Sequence, residues 1–117
     1  MLVDYKLKNY RLIRQAADNM TAQMKKLSPK NLQYNLLRQR LQQAQIVISS
    51  VENALSKMEP EDRTLLQLLF IDKNAYDMET VSSMMNMGRS SLYRRRTAAL
   101  KRFNLMLNGT EQPEIAQ

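Results

Sequence analysis

The fold is decided by residues 79–96, which read ETVSSMMNMGRSSLYRRR. A short segment lies before Asn86, and a long basic segment begins after Gly88. Because Asn and Gly tolerate backbone conformations that most residues avoid, residues 86–88 are expected to form a turn. The pattern predicts a helix over Asp77–Met85 and another over Arg89–Leu107. A short helix, a tight turn and a longer basic helix are the parts of a helix-turn-helix.

The side chains of this helical pair suit close packing. Ser82 is short enough to stand where the second helix crosses the first. Apolar residues are expected on the inner faces of both helices; they are Val81, Met85, Met87, Leu92, Ala99, Leu100, Phe103 and Leu107. A third, buried helix is predicted just before the pair, because residues 63–71 are apolar nearly all round. Pro60 is expected to break the long helix before it, and Glu61 and Asp62 to sit in the first turn of the new helix, where the helix dipole favours negative charge.

The first half of the chain predicts two long helices. Apolar residues recur at alternating spacings of three and four from Tyr10 to Leu27 and again from Tyr34 to Met58. We expect the second helix to begin at Ser28-Pro29, since Ser is a good N-cap and Pro is tolerated at the first helical position. The short link favours an antiparallel hairpin. The two apolar stripes either bury only each other or also form a homodimer, and the sequence leaves both open.

These segments predict an all-α fold. Residues 1–58 form the helical hairpin, residues 61–108 form a three-helix head with a turn at Asp72–Ala75, and residues 109–117 form a flexible tail. The composition agrees, since the 117 residues include two glycines and three prolines among many good helix formers.

The composition also excludes several classes of function. The chain has no Cys and no His, which rules out disulfides, zinc sites built on those residues, and thiol or imidazole catalysis. No glycine-rich phosphate loop and no nucleophile–base arrangement is present, so we expect no enzyme, no catalytic residue, no cofactor and no metal. No apolar run approaches the length of a membrane span, and residues 1–10 lack the apolar stretch of a signal peptide. We therefore expect a cytoplasmic protein without a membrane partner.

The positive charge is concentrated in one segment. The net charge is +7, and residues 80–110 hold six basic and no acidic side chains. A clustered positive field predicts a polyanionic partner such as double-stranded DNA. A solvated basic surface is the alternative interpretation of Arg94–Arg96.

Residues 61–107 resemble the fourth region of sigma-70 family factors. Residues 79–96 are similar to the helix-turn-helix of that region, and residues 98–103, AALKRF, are similar to its closing helix. Over the whole chain, the sequence resembles phage late-gene transcriptional regulators of the ArpU and RinA type, which are short, basic and helical. It departs from the sigma pattern at Ser82, Asn86 and Gly88, where alanine, glycine, and serine or threonine are usual.

The resemblance implies a sequence-specific regulator of a phage late operon, acting in the cytoplasm of a bacterial host with the host RNA polymerase as a partner. The candidate DNA-binding residues are Arg89, Ser90, Ser91, Tyr93, Arg94, Arg95, Arg96, Lys101 and Arg102. Arginine pairs with guanine and serine with several bases, whereas Ser90, Arg96, Lys101 and Arg102 are candidates for phosphate contacts. For Tyr93, packing and DNA contact stay equal alternatives.

Two other functions remain open at this point. A small-terminase-like subunit for DNA packaging also joins a helix-turn-helix to a helical oligomerisation part. The second alternative is a sigma-like module that binds RNA polymerase without reading DNA.

Overall fold

The computed structural model describes residues 2–72 and 76–108, with side chains described from Leu7 onward. All elements in these ranges are helical, which confirms the all-α fold class. They are α1 (Leu2–Met24), α2 (Leu32–Ser56), α3 (Pro60–Leu66) with a π-helical continuation (Gln67–Ile71), α4 (Met78–Met84) and α5 (Arg89–Asn108). The predicted tail and most of the turn predicted at Asp72–Ala75 lie outside the described residues.

The first two helices pack side by side. Residues 25–31 link them, and this link is too short to lead back along a helix of about 35 Å, so the two helices run antiparallel. The start of α2 differs from the expectation. Its N-cap is Asn31, whose side chain accepts a hydrogen bond from the backbone N–H of Gln33 at 2.7 Å. Ser28 instead accepts from the N–H of Lys30, which keeps Pro29 in the link.

The base of the hairpin and the head share one hydrophobic core. It is built from buried residues of every helix, among them Leu7, Tyr10, Val51, Leu55, Leu65, Leu66, Phe70, Val81, Leu92, Ala99 and Phe103. The core thus occupies the end of the hairpin where α1 begins and α2 ends. The other end of the hairpin extends away from it, and the molecule measures 55 × 40 × 21 Å along its principal axes.

The third helix is buried along one face and not all round, since Thr64 and Gln67 are exposed. Pro60 is its first residue, with Glu61 and Asp62 in the first turn. Leu65, Leu66 and Phe70 are buried. The helix widens over its last turn, where the N–H of Asp72 donates to the carbonyl of Gln67 at 2.7 Å.

The turn between α4 and α5 uses one of the two residues expected to supply conformational freedom. Asn86 has a φ of 53°, in the left-handed region. Position 88 does not require a residue without a side chain, since a Cβ placed there would meet no atom within 4 Å. The hydroxyl of Ser82 donates to the carbonyl of Met87 and so satisfies a backbone acceptor of the turn. Val81 and Leu92 are buried on either side of it.

Candidate nucleic-acid interface

α5 has one buried face and one exposed line of side chains. Its buried residues are Leu92, Ala99 and Phe103. Because successive residues of an α-helix are about 100° apart, positions 90, 94, 97 and 101 lie opposite that buried face. Ser90, Arg94, Thr97 and Lys101 occupy these positions, and all four are exposed. We call these four residues the α5 ridge.

The two cations of the α5 ridge are directed to solvent. Within the described part of the chain, neither Arg94 nor Lys101 forms an ion pair. Arg94 makes one long contact, 3.4 Å from its Nη2 to Oγ of Ser91, which is at the outer limit of hydrogen bonding. The Thr97 hydroxyl donates to the carbonyl of Tyr93 at 3.1 Å. The ridge therefore offers two positive charges and two hydroxyl oxygens along one line.

Three further candidate residues lie beside the ridge at the start of α5. Ser91 and Tyr93 are exposed, Tyr93 by 51%. Arg89 is also exposed, and its Nη2 lies 3.9 Å from Oε1 of Glu79. Since both side chains of this pair are largely in water, the pair contributes little and leaves the Arg89 charge available. These three residues are thus exposed at the start of α5, on either side of the ridge.

Arg95 and Arg102 are not part of this group, which differs from the expectation that they contact DNA. Nε of Arg95 lies 2.9 Å from Oδ1 of Asp62, and Nη1 of Arg102 lies 2.6 Å from Oδ2 of the same carboxylate. Arg95 also pairs with Glu61. The hydrogen bond to Asp62 is the main cause that raises the pKa of Arg95 above its usual value. These contacts fasten α5 to the start of α3.

Arg96 also faces the body of the protein. Its guanidinium carbon lies 5.6 Å from the centre of the Phe70 ring, within the range of a cation–π contact. The side chain is half-buried. Three consecutive arginines therefore have different surroundings: Arg94 is on the ridge, Arg95 is bound to carboxylates, and Arg96 stands over an aromatic ring.

Sequence reasoning missed two residues that shape this interface. Asp62 was expected only in the first turn of a helix, yet its side chain is 1% exposed and accepts from two arginines. Its spacing of three and four from Leu65 and Leu66 is a signal that it shares their buried face. Thr97 was not a candidate, although its spacing of three and four from Arg94 and Lys101 places it on the same line.

The described residues contain no cluster of three or more carboxylates that could hold a metal ion. Among the helices of residues 2–72 and 76–108, none has the length and apolar character needed to cross a membrane. Comparisons with profiles of known protein families, with curated proteins and with solved structures found no match.

Proposed function

We propose that the chain is a sequence-specific DNA-binding transcriptional regulator in which α4 and α5 act as a helix-turn-helix. The α5 ridge is the observation that carries this proposal. Its two cations have no ion-pair partner among the described residues, and residues 80–110 contain no acidic side chain that would compete with phosphate. A convex line of this chemistry on a helix suits the major groove, which admits an α-helix.

In this proposal the ridge reads bases near the start of α5 and binds phosphates further along. Arg94 is placed to form a bidentate contact with guanine, and Ser90 to contact a neighbouring base. Lys101 lies about 10 Å further along the helix and binds phosphate as a point charge. Arg89 and the free N–H groups at the start of α5 hold a phosphate at the other edge of the groove.

The three arginines of α5 that have partners within the protein have a positioning role. Arg95 and Arg102 bind Asp62, and Arg96 stands over Phe70. These contacts fix the rotation of α5 about its own axis, so that the ridge faces outward before DNA arrives. A helix held in advance loses less conformational entropy on binding than a mobile one.

A helix-turn-helix head of this size reads only a few base pairs, so further specificity must come from a second half-site or from RNA polymerase. One observation favours a second copy of the chain. α2 carries an uncharged stripe with large apolar side chains exposed at Leu32 (75%), Leu36 (49%) and Ile46 (60%). Gln39 and Gln43 fall between them at heptad spacing, as in a helix–helix interface. We propose a homodimer that is joined through this stripe and whose two heads bind paired half-sites.

The resemblance to ArpU and RinA type proteins supports a phage late operon as the target and recruitment of host RNA polymerase as the mode of action. Two alternatives predict different measurements. A small-terminase-like subunit would form a ring-sized assembly in light scattering. A dimer or a monomer would favour the regulator, and a monomer would exclude the homodimer proposed above. A polymerase-binding module would bind polymerase tightly and show no salt-sensitive binding to DNA.

Selection from a pool of random duplexes tests the proposed function without knowledge of the operator. We expect repeated rounds with the wild-type chain to enrich a shared motif of a few base pairs. Binding that enriches no motif would assign the chain to sequence-neutral DNA contact. If the chain binds no duplex at low salt, double-stranded DNA is not one of its partners.

A further inference from the structure

The far end of the hairpin carries a second basic surface. Residues 19–51 hold five basic and no acidic side chains. Three of them, Lys25, Lys26 and Lys30, lie in the link between α1 and α2, and Arg38 and Arg40 lie near the start of α2. All five are exposed. Because Arg38 and Arg40 are two positions apart, they point to nearly opposite sides of α2, and we call only Lys25, Lys26 and Lys30 the hairpin-tip patch.

The hairpin-tip patch has no role in holding the hairpin together. None of its side chains forms an ion pair or a hydrogen bond with any described residue. The base of the hairpin is different, because Nη1 of Arg14 lies 2.7 Å from Oε2 of Glu52, which also accepts from the hydroxyl of Tyr10. Three like charges without partners repel one another and favour binding of a polyanion.

The patch stands well away from the α5 ridge. α1 has 23 residues, so the tip is about 35 Å from the end of the hairpin that packs on the head. This length is close to one helical turn of B-DNA, about 34–36 Å. A duplex that is bound at the ridge and runs along the hairpin would present further phosphates at this distance.

We propose that the hairpin-tip patch is a second, sequence-independent contact to the DNA phosphate backbone, about one helical turn from the site of the α5 ridge. This inference rests on the proposed function, since it needs a duplex at the ridge. Lysine ammonium groups on flexible stems suit phosphates whose positions vary with sequence and bend. The patch and the ridge are both positively charged, so one extended polyanion can bind both surfaces.

The test uses two fluorescein-labelled duplexes with the same selected motif at the centre, one of 14 base pairs and one of 30. The shorter duplex extends about 24 Å to either side of its centre, and the longer about 51 Å, at 3.4 Å per base pair. Only the longer one reaches the tip. Fluorescence anisotropy gives the Kd of each at several salt concentrations.

The tip variant is Lys26→Gln/Lys30→Gln, and its matched control is Lys8→Gln/Lys57→Gln, which removes the same charge from exposed positions near the head. We expect the tip variant to lose roughly tenfold or more in affinity for the 30-base-pair duplex and to flatten its log–log salt slope by about two. Its affinity for the 14-base-pair duplex should match that of the control. Circular dichroism at 222 nm should show equal helicity in both, as a helical fold gives a strong signal there.

Three results would overturn the inference while leaving the proposed function standing. Unchanged affinity of the tip variant for the longer duplex is the first. Equal losses on both duplexes, or equal losses in tip variant and control, would indicate only a general field effect. Retained DNA affinity with lost binding to purified RNA polymerase would assign the patch to a protein partner. If the wild-type chain binds neither duplex, the proposed function is wrong, and this inference is wrong with it.

Discussion

Nη1 of Arg102 lies 2.6 Å from Oδ2 of Asp62, a carboxylate that is 1% exposed. The preceding residue, Lys101, lies about 100° further round α5, opposite its buried face, and has no ion-pair partner among the described residues. Two adjacent cations of one helix therefore have different roles. Arg102 stabilises the fold, and Lys101 is free to bind a ligand.

Replacing Arg102 should cost stability, because a hydrogen bond to a buried carboxylate is lost. We expect Arg102→Met to lower the free energy of unfolding by about 1.5–3 kcal/mol. Lys101→Met is the matched control and should change it by less than about 0.5 kcal/mol. Urea unfolding followed by circular dichroism measures both. Equal stability of the two variants would mean that Arg95 alone satisfies Asp62.

Replacing Lys101 should weaken DNA binding without favouring one sequence over another. A phosphate contact carries no base information, so Lys101→Ala should reduce affinity alike for a selected duplex and a scrambled one. It should flatten the log–log salt slope by about one. Anisotropy titrations at four salt concentrations give the slope. A slope equal to that of the wild type would show that Lys101 does not contact DNA in the complex.

The left-handed conformation of Asn86 predicts a strong dependence on residue type at this position. Asn86→Val should destabilise the head by about 1–3 kcal/mol, because a β-branched residue is strained at a φ of 53°. Asn86→Gly should leave stability unchanged or raise it slightly, since glycine adopts this conformation freely. Thermal unfolding distinguishes them. Equal midpoints for the Val and Gly variants would contradict the turn geometry.

The start of α4 predicts a loss of stability in acid. Asp77 accepts a hydrogen bond from the backbone N–H of Thr80 at 2.8 Å, and this bond lowers the pKa of Asp77 below its usual value. Because the unfolded chain binds the proton more readily, the contribution is present above the usual pKa and is lost as the pH falls through the folded pKa. Asp77→Asn keeps an N-cap acceptor but does not titrate.

We therefore expect the wild-type chain to lose more stability than Asp77→Asn between pH 6 and pH 3. Urea midpoints at both pH values measure the difference. The loss of stability that both proteins share comes from protonation of the other carboxylates. Parallel losses in the two proteins would show that Asp77 does not cap α4 in solution.

The helices could be predicted from the sequence because each has an apolar face with the helical period. The junction between α1 and α2 could not be placed to the residue. Ser28, Pro29 and Asn31 all favour a cap or a turn, and local propensity does not rank three candidates so close together. The choice of Asn31 depends on which side chain reaches an N–H of the first turn, which is a matter of geometry.

The site was predictable in part. The basic character of α5 and its outward-facing start follow from charge and period alone. A run of three arginines, however, gives no indication of which ones have partners. The register set by Leu92 and Ala99 indicates that Arg95 and Arg96 turn inward, but the acceptor for Arg95 is Asp62, 33 residues away. Contacts between distant segments become visible only in the folded chain.

Arg94 provides the most direct test of the account. The measurement is the Kd of wild type and Arg94→Ala for the selected duplex and for a scrambled duplex of equal length, with Lys57→Ala, at an exposed position outside the ridge, as a control for charge. We expect Arg94→Ala to lose roughly 5- to 150-fold in affinity for the selected duplex, the equivalent of about 1–3 kcal/mol, and much less for the scrambled one. Wild-type affinity of Arg94→Ala for the selected duplex would contradict the claim that the α5 ridge reads DNA.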